Sequence, residues 1–185
     1  HFLYKEDIIN IINNYKNNEF KSVKLQFNYK DDVEDRLGYF DNVGFFIDMF
    51  QSHFLSVIYL LIGDKIKNFE NVDIIRNLRK QYRNYGGKNN VDTYFYLEFK
   101  YENTIYIFEA GKAMTNESKN VYIDGKKFKI KNYQNEYEIY FNDMFNDRID
   151  NSLIYYNEYF WKITDMINND FKENCKLEYY EKNNL

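Results

Sequence analysis

Residues 91–111 read VDTYFYLEFKYENTIYIFEAG, and the fold turns on whether this aromatic stretch is a hairpin. Apolar rings recur at every second position, which is the period of a strand and not of a helix. A two-residue turn at Glu102–Asn103 sets Tyr101 opposite Thr104, Phe99 opposite Tyr106, Leu97 opposite Phe108 and Phe95 opposite Ala110, all on one face. That face is predicted to be core. The other face then carries Tyr94, Tyr96, Glu98, Lys100, Ile105, Ile107 and Glu109. A slip of one residue would exchange the two faces, so the turn decides what is buried.

A second hairpin follows, because Asp124–Gly125 separates VYI from KKFKI and that dipeptide suits a type I′ turn. Its pairing puts Val121, Ile123, Phe128 and Ile130 together and turns Lys127, Lys129 and Lys131 outward. Upstream, Val23, Leu25, Phe27 and Tyr29 alternate with Lys24, Gln26 and Asn28 and predict a half-exposed strand over 22–30. A further strand is expected through Tyr137, Ile139 and Phe141.

The remaining segments have helical spacing. Ile8, Ile11, Ile12 and Tyr15 make an amphipathic stripe. The stretch from Asn42 to Lys67 is apolar nearly all round and predicts a central helix, with a break near Gln51 or Ser52. Within it the run Phe45–Ile62 is interrupted by Asp48, Gln51 and His53, which would be costly in lipid, so no membrane span is expected. Ile75, Leu78, Tyr82 and Tyr85 predict a helix over 71–85, stopped by Gly86 and Gly87. Leu153, Tyr156, Phe160, Ile163 and Ile167 predict a last helix capped by Ser152.

These elements make an α+β expectation: an antiparallel meander of five or six strands packed against three or four helices, as a single domain over residues 1–185. Composition agrees with a closed core. Of 185 residues, 44% are apolar and 21% aromatic, the opposite of a chain that stays unfolded. The single cysteine, Cys175, excludes an internal disulfide and a multi-thiolate zinc site. A reduced, cytoplasmic setting is the corresponding expectation.

Charge is uneven, although the whole chain carries only −4. Arg76, Arg79, Lys80 and Arg83 fall on one face of the predicted 71–85 helix and offer phosphate contacts, with Tyr94 and Tyr96 as stacking surfaces. An isoelectric point near 5.3 works against a polyanion, so nucleic acid is disfavoured. Glu98 lies diagonal to Glu109 at about 7–8 Å between backbones, with Lys100 beside them, a spacing that acid–base pairs use. The set Asp92, Glu98-Phe99-Lys100 is similar to the Asp plus Glu-x-Lys clusters of metal-dependent nucleases. It departs from them because Asp92 is too close in sequence and a hairpin strand replaces the expected helix. A metal-dependent hydrolase or nuclease using Glu98, Glu109 and Lys100 is therefore the alternative, not the main reading. His53 stands next to Ser52 without a telling partner and reads as a hydrogen-bonded core or boundary histidine.

With no complete catalytic constellation, no metal set, no cofactor motif and no glycine-rich phosphate loop, a binding protein is expected. Tyr-rich acidic surfaces suit a basic protein partner, as in inhibitors and toxin-neutralising immunity proteins. The expected partner surface is Tyr94, Tyr96, Glu98 and Glu109, or the acidic residues Asp143, Asp147 and Asp150.

Overall fold

In the computed structural model the described residues are 3, 5–33, 36–131, 151–182 and 184, with 151–157 described for backbone alone. The predicted strand through Tyr137 and the acidic trio Asp143, Asp147 and Asp150 lie outside the described residues.

Helix α1 (Glu6–Tyr15) buries Ile8 and Ile11, the inner edge of its predicted stripe. Strand β1 (Ser22–Asn28) buries Val23, Leu25 and Phe27 in alternation, as its period dictates. A long helical passage follows: α2 (Leu37–Phe46), a π-helical segment (Ile47–Phe54), α3 (Leu55–Ile62) and a 3-10 segment (Gly63–Asn71). The run Leu37–Asn71 is long and apolar enough to cross a membrane, yet it is a core helix here: Phe46, Phe50, Phe54, Val57, Ile58 and Leu61 are all 0% exposed.

The remaining elements are β2 (Asp73–Tyr82), β3 (Tyr94–Tyr101), β4 (Thr104–Gly111), β5 (Ser118–Ile123), β6 (Lys126–Lys129), α4 (Asn151–Asn174) and β7 (Glu178–Tyr180). Among the described residues, strands β1 to β7 form one seven-stranded sheet in the order β6-β5-β1-β4-β3-β2-β7. Both hairpins have the expected register. Tyr101 pairs with Thr104 and Phe99 with Tyr106, while Ile123 pairs with Lys126 across an Asp124–Gly125 turn with φ of 50° and 82°.

The antiparallel meander is nevertheless incorrect. Strand β1 runs parallel to β4 and β7 runs parallel to β2, so the sheet is mixed. Adjacent antiparallel strands need only a tight turn, whereas a parallel pair needs a long crossover, here the whole helical passage plus β2 and β3. Local alternation records the first kind of pairing and is silent on the second.

The predicted 71–85 helix is also incorrect, because its residues form strand β2. A bulge between Ile74 and Arg76 breaks the alternation and leaves Ile75 52% exposed. Beyond the bulge, the residues facing the helices are polar: Asn77, Arg79 and Gln81 are 7%, 3% and 7% exposed. A strand with polar groups turned inward has no strand-like hydrophobic signature, and the residual Ile–Leu–Tyr spacing imitates a helix. The core between sheet and helices is a lattice of rings. Phe54 meets Phe27, Phe95 and Phe108 at centroid distances of 5.1, 6.0 and 5.6 Å, in the tilted and stacked arrangements that aromatic pairs favour.

Candidate functional site

The carboxyl ends of the parallel pair β1 and β4 lie side by side at Asn28 and Gly111. Ligands of open sheets that contain parallel strands collect at such ends. Tyr29 follows β1, and its N–H donates to the Gly111 carbonyl at 2.8 Å. Its ring is flanked by two cations, Lys112 Nζ at 4.5 Å and Lys119 Nζ at 4.7 Å from the centroid. Burial pushes the Tyr29 hydroxyl well above the ordinary phenol range, with Asp48 and Glu117 adding to the effect. Burial likewise lowers the Lys112 ammonium, against the pull of Asp31 and Asp48.

Facing these groups is the π-helical segment. Tyr39 Oη donates to Asp48 Oδ1 at 2.7 Å, and Arg36 Nη2 stands 4.0 Å from the same oxygen. The Tyr39 hydroxyl is pushed up to about 12 by burial and then by Asp48. The main-chain carbonyl of Asp48 accepts the Ser52 hydroxyl and lies 3.2 Å from His53 Nδ1, while Ser52 Oγ is 2.7 Å from that nitrogen.

A carbonyl only accepts, so the 3.2 Å approach to the Asp48 carbonyl is a hydrogen bond when Nδ1 carries the ring proton, and in that tautomer Nε2 is the basic nitrogen. Burial lowers the His53 pKa below its ordinary 6.5, opposed by the bond to the Asp48 carbonyl, so the ring is neutral at physiological pH. The arrangement combines a neutral imidazole base, a carboxylate and several cations at one end of the sheet. It suits removal of a proton from an anionic substrate.

The residues singled out by sequence are elsewhere. Tyr94, Tyr96, Glu98 and Glu109 share the sheet face away from α2 and α4, and Tyr96, Glu98 and Glu109 each have a polar partner there. Tyr96 Oη donates to Glu98 Oε2 at 2.9 Å, and Arg76 lies over the Tyr96 ring. Glu109 takes Lys24 at 2.8 Å, Gln26 at 3.0 Å and Asn28 at 3.3 Å. Glu98 and Glu109 are thus engaged by different groups, and Lys100 is exposed. Among the described residues no cluster of three or more His, Cys, Asp or Glu is arranged to hold a metal ion. The four cations of the supposed basic helix are dispersed: Arg79 is buried against Asp92, Lys80 meets Glu178 and Arg83 meets Glu181. His53 makes hydrogen bonds, as read from sequence, but its alignment with Asp48 went unseen.

Residues 8–85 match the family model described as glucose-6-phosphate dehydrogenase, C-terminal domain. A curated relative, the glucose-6-phosphate 1-dehydrogenase of Dickeya dadantii (strain 3937), is 30% identical over 98 residues, covering 43% of this chain and 20% of that protein. The chain thus spans about a fifth of the length of the curated relative that it matches. A solved glucose-6-phosphate dehydrogenase in complex with its substrate glucose-6-phosphate superposes with a TM-score of 0.67 at 19% identity, over 99% of this chain and 58% of that one. The glucose-6-phosphate 1-dehydrogenase of Mycobacterium avium gives 0.60 at 13% identity, over 98% and 56%. At these identities the two structures establish a shared fold, which again is not a meander. The matches overturn the expectation of a non-catalytic inhibitor or immunity protein aimed at a basic partner, and they lend nothing to the metal-dependent hydrolase: what this chain resembles is a domain of a sugar-phosphate dehydrogenase.

Proposed function

We propose that this chain supplies the substrate side of a dehydrogenase acting on a sugar phosphate, with His53 as the base. One observation carries the reading: the His53 ring stands on a π turn with Nδ1 3.2 Å from the Asp48 carbonyl, among Arg36, Lys112 and Lys119 at the ends of β1 and β4. The names of the relatives supply the substrate class. In the reaction His53 Nε2 takes the proton of a substrate hydroxyl as its carbon gives up a hydride, leaving a carbonyl product. Arg36, Lys112 and Lys119 favour the anionic substrate, and Asp48 favours the imidazolium that forms.

Such oxidation needs a hydride acceptor, ordinarily a nicotinamide dinucleotide. Neither Gly111 nor Gly87 fits a pyrophosphate cradle. A Cβ at Gly111 would lie 2.5 Å from Met114 Sδ, and one at Gly87 would lie 2.1 Å from Asp41 Oδ1, so the chain's own side chains occupy both approaches. Residues 1–185 act as one domain in this reading, and a cytoplasmic location accords with it.

The test is oxidation of glucose 6-phosphate by the intact protein, with nicotinamide dinucleotides as acceptors, before and after His53→Gln. Loss of about 10²–10⁴-fold in kcat is expected for removal of a general base. Wild-type protein inert toward sugar phosphates, or His53→Gln at full rate, would reject the assignment.

A further inference from the structure

The helix that carries Asp48 and His53 does not begin with a cap of its own. Gly44 interrupts α2 with φ 75° and ψ 162°, and the chain becomes helical again at once, with no local side-chain cap. The first N–H groups of a helix lack intrahelical acceptors. Here both come to one residue just before β3: Phe45 N–H donates to the Asp92 carbonyl at 3.0 Å and Phe46 N–H to Asp92 Oδ2 at 2.6 Å. A carboxylate at this position also complements the positive end of the helix dipole.

Asp92 is itself held in place. Arg79 Nη1 lies 3.7 Å from its Oδ1, and the guanidinium carbon sits 3.4 Å over the Phe46 ring. Arg79 Nε donates to Asn77 Oδ1 at 3.2 Å, and Asn77 Nδ2 donates to Ile167 O and Asp170 Oδ2 on α4, each at 2.9 Å. The neighbouring residue joins the two halves of the site: Thr93 N–H bonds the Lys80 carbonyl at 2.8 Å, and Lys112 N–H bonds the Thr93 carbonyl at 2.9 Å. One short stretch therefore fixes both the start of the His53 helix and the backbone of Lys112.

The geometry points to Asp92 as the positioning residue of the site: by capping from outside the helix that starts at Phe45, it fixes the register in which the π turn brings His53 onto the Asp48 carbonyl. Asp92 does not touch the reacting atoms. A π turn holds one residue more than an α turn, and removing the anchor two residues before Asp48 lets that turn relax. The Asp48 carbonyl then leaves His53, and the ring loses the contact that places its proton on Nδ1.

The kinetic part of this inference rests on the proposed role of His53; the structural part does not. The experiment is ¹⁵N-edited NMR of the His53 ring in the intact protein, assigned with His53→Gln, beside kcat and KM for glucose 6-phosphate. Wild type is expected to show a single Nδ1–H tautomer. Asp92→Ala should give mixed tautomers and a fall in kcat of about 10–100-fold, the range for loss of a supporting hydrogen bond, with KM changed less than about threefold. Asp92→Asn keeps an oxygen for the Phe46 N–H and should keep the wild-type tautomer. Gly44→Ala presses on the same contact, since a Cβ there stands 3.0 Å from Asp92 Oδ1 at a positive φ, and should reproduce the Asp92→Ala spectrum; it decides the matter if Asp92→Ala does not fold. An unchanged tautomer in folded Asp92→Ala or in Gly44→Ala overturns the inference, as does Asp92→Asn behaving like Asp92→Ala. Full activity in His53→Gln combined with a shifted tautomer in Asp92→Ala would reject the proposed function alone.

Discussion

Replacing Arg79 by Met tests whether the polar residues of β2 stabilise the core or merely occupy it. The Arg79 and Asp92 side chains are 3% and 15% exposed, and their charged atoms approach to 3.7 Å. At an effective dielectric of about 20 this separation corresponds to an attraction of about 4 kcal/mol. Arg79→Met keeps most of the packing against Phe46 and Phe171 but leaves the Asp92 carboxylate buried without its cation. Breaking a buried pair in this way costs about 3–5 kcal/mol. Urea unfolding of the intact protein at pH 7 should record that loss as a lower midpoint with an unchanged slope. The decisive comparison is the double variant with Asp92→Asn, which removes both charges. Its destabilisation should fall short of the sum of the two single variants by roughly 3–5 kcal/mol, because each single variant strands a charge and the double strands none. A coupling below about 1 kcal/mol would mean that water or other groups already screen the pair, and the account of β2 as a strand with an inward electrostatic lock would be wrong.

Phe54→Ala removes a ring packed on Phe27, Phe95 and Phe108 and should destabilise the fold by about 3–5 kcal/mol in chemical denaturation; a loss under about 1 kcal/mol would mean that the site collapses around the deletion. The pH dependence follows from His53, whose pKa in the folded protein is lowered by burial. Below the ordinary imidazole value of about 6.5 the unfolded chain binds a proton that the folded chain does not, so this group makes stability fall as pH drops through that value and leaves it unaffected above. His53→Gln should flatten that part of the stability profile, and an identical profile in both proteins would contradict the burial of the ring. For the same reason the acid limb of kcat/KM should lie below pH 6.5, and a limb above 7 would point to another base.

Elements whose partners are near in sequence were legible. Phe95, Leu97 and Phe99 point inward because alternation and the Glu102–Asn103 turn together leave one register, and Asp124–Gly125 is written for a tight turn. The central helical passage was legible too, since residues apolar on every side can only lie inside. Pairings that no local pattern encodes were lost. Strand β1 meets β4 only after the helical passage, β2 and β3 have intervened, and β7 meets β2 from the far end of the chain. Residues 71–85 failed for a different reason: binary patterning assumes that the inward face is apolar, and β2 turns Asn77, Arg79 and Gln81 inward.

The candidate site was hidden by the same assumption of regular geometry. At 3.6 residues per turn, Asp48 and His53, five apart, point roughly 140° away from each other, so a reader applying α-helical spacing assigns them to different faces. In a π turn the fifth residue returns beneath the first, and the carbonyl of Asp48 meets the ring of His53. Composition did leave a trace: Asp48, Gln51, Ser52 and His53 interrupt an otherwise apolar run, and polar groups in a core helix are expensive unless something satisfies them. That cost was enough to argue against a membrane span. Taken one step further it argues for a site, because the wider turn is what brings the Asp48 carbonyl, the Ser52 hydroxyl and the His53 ring together.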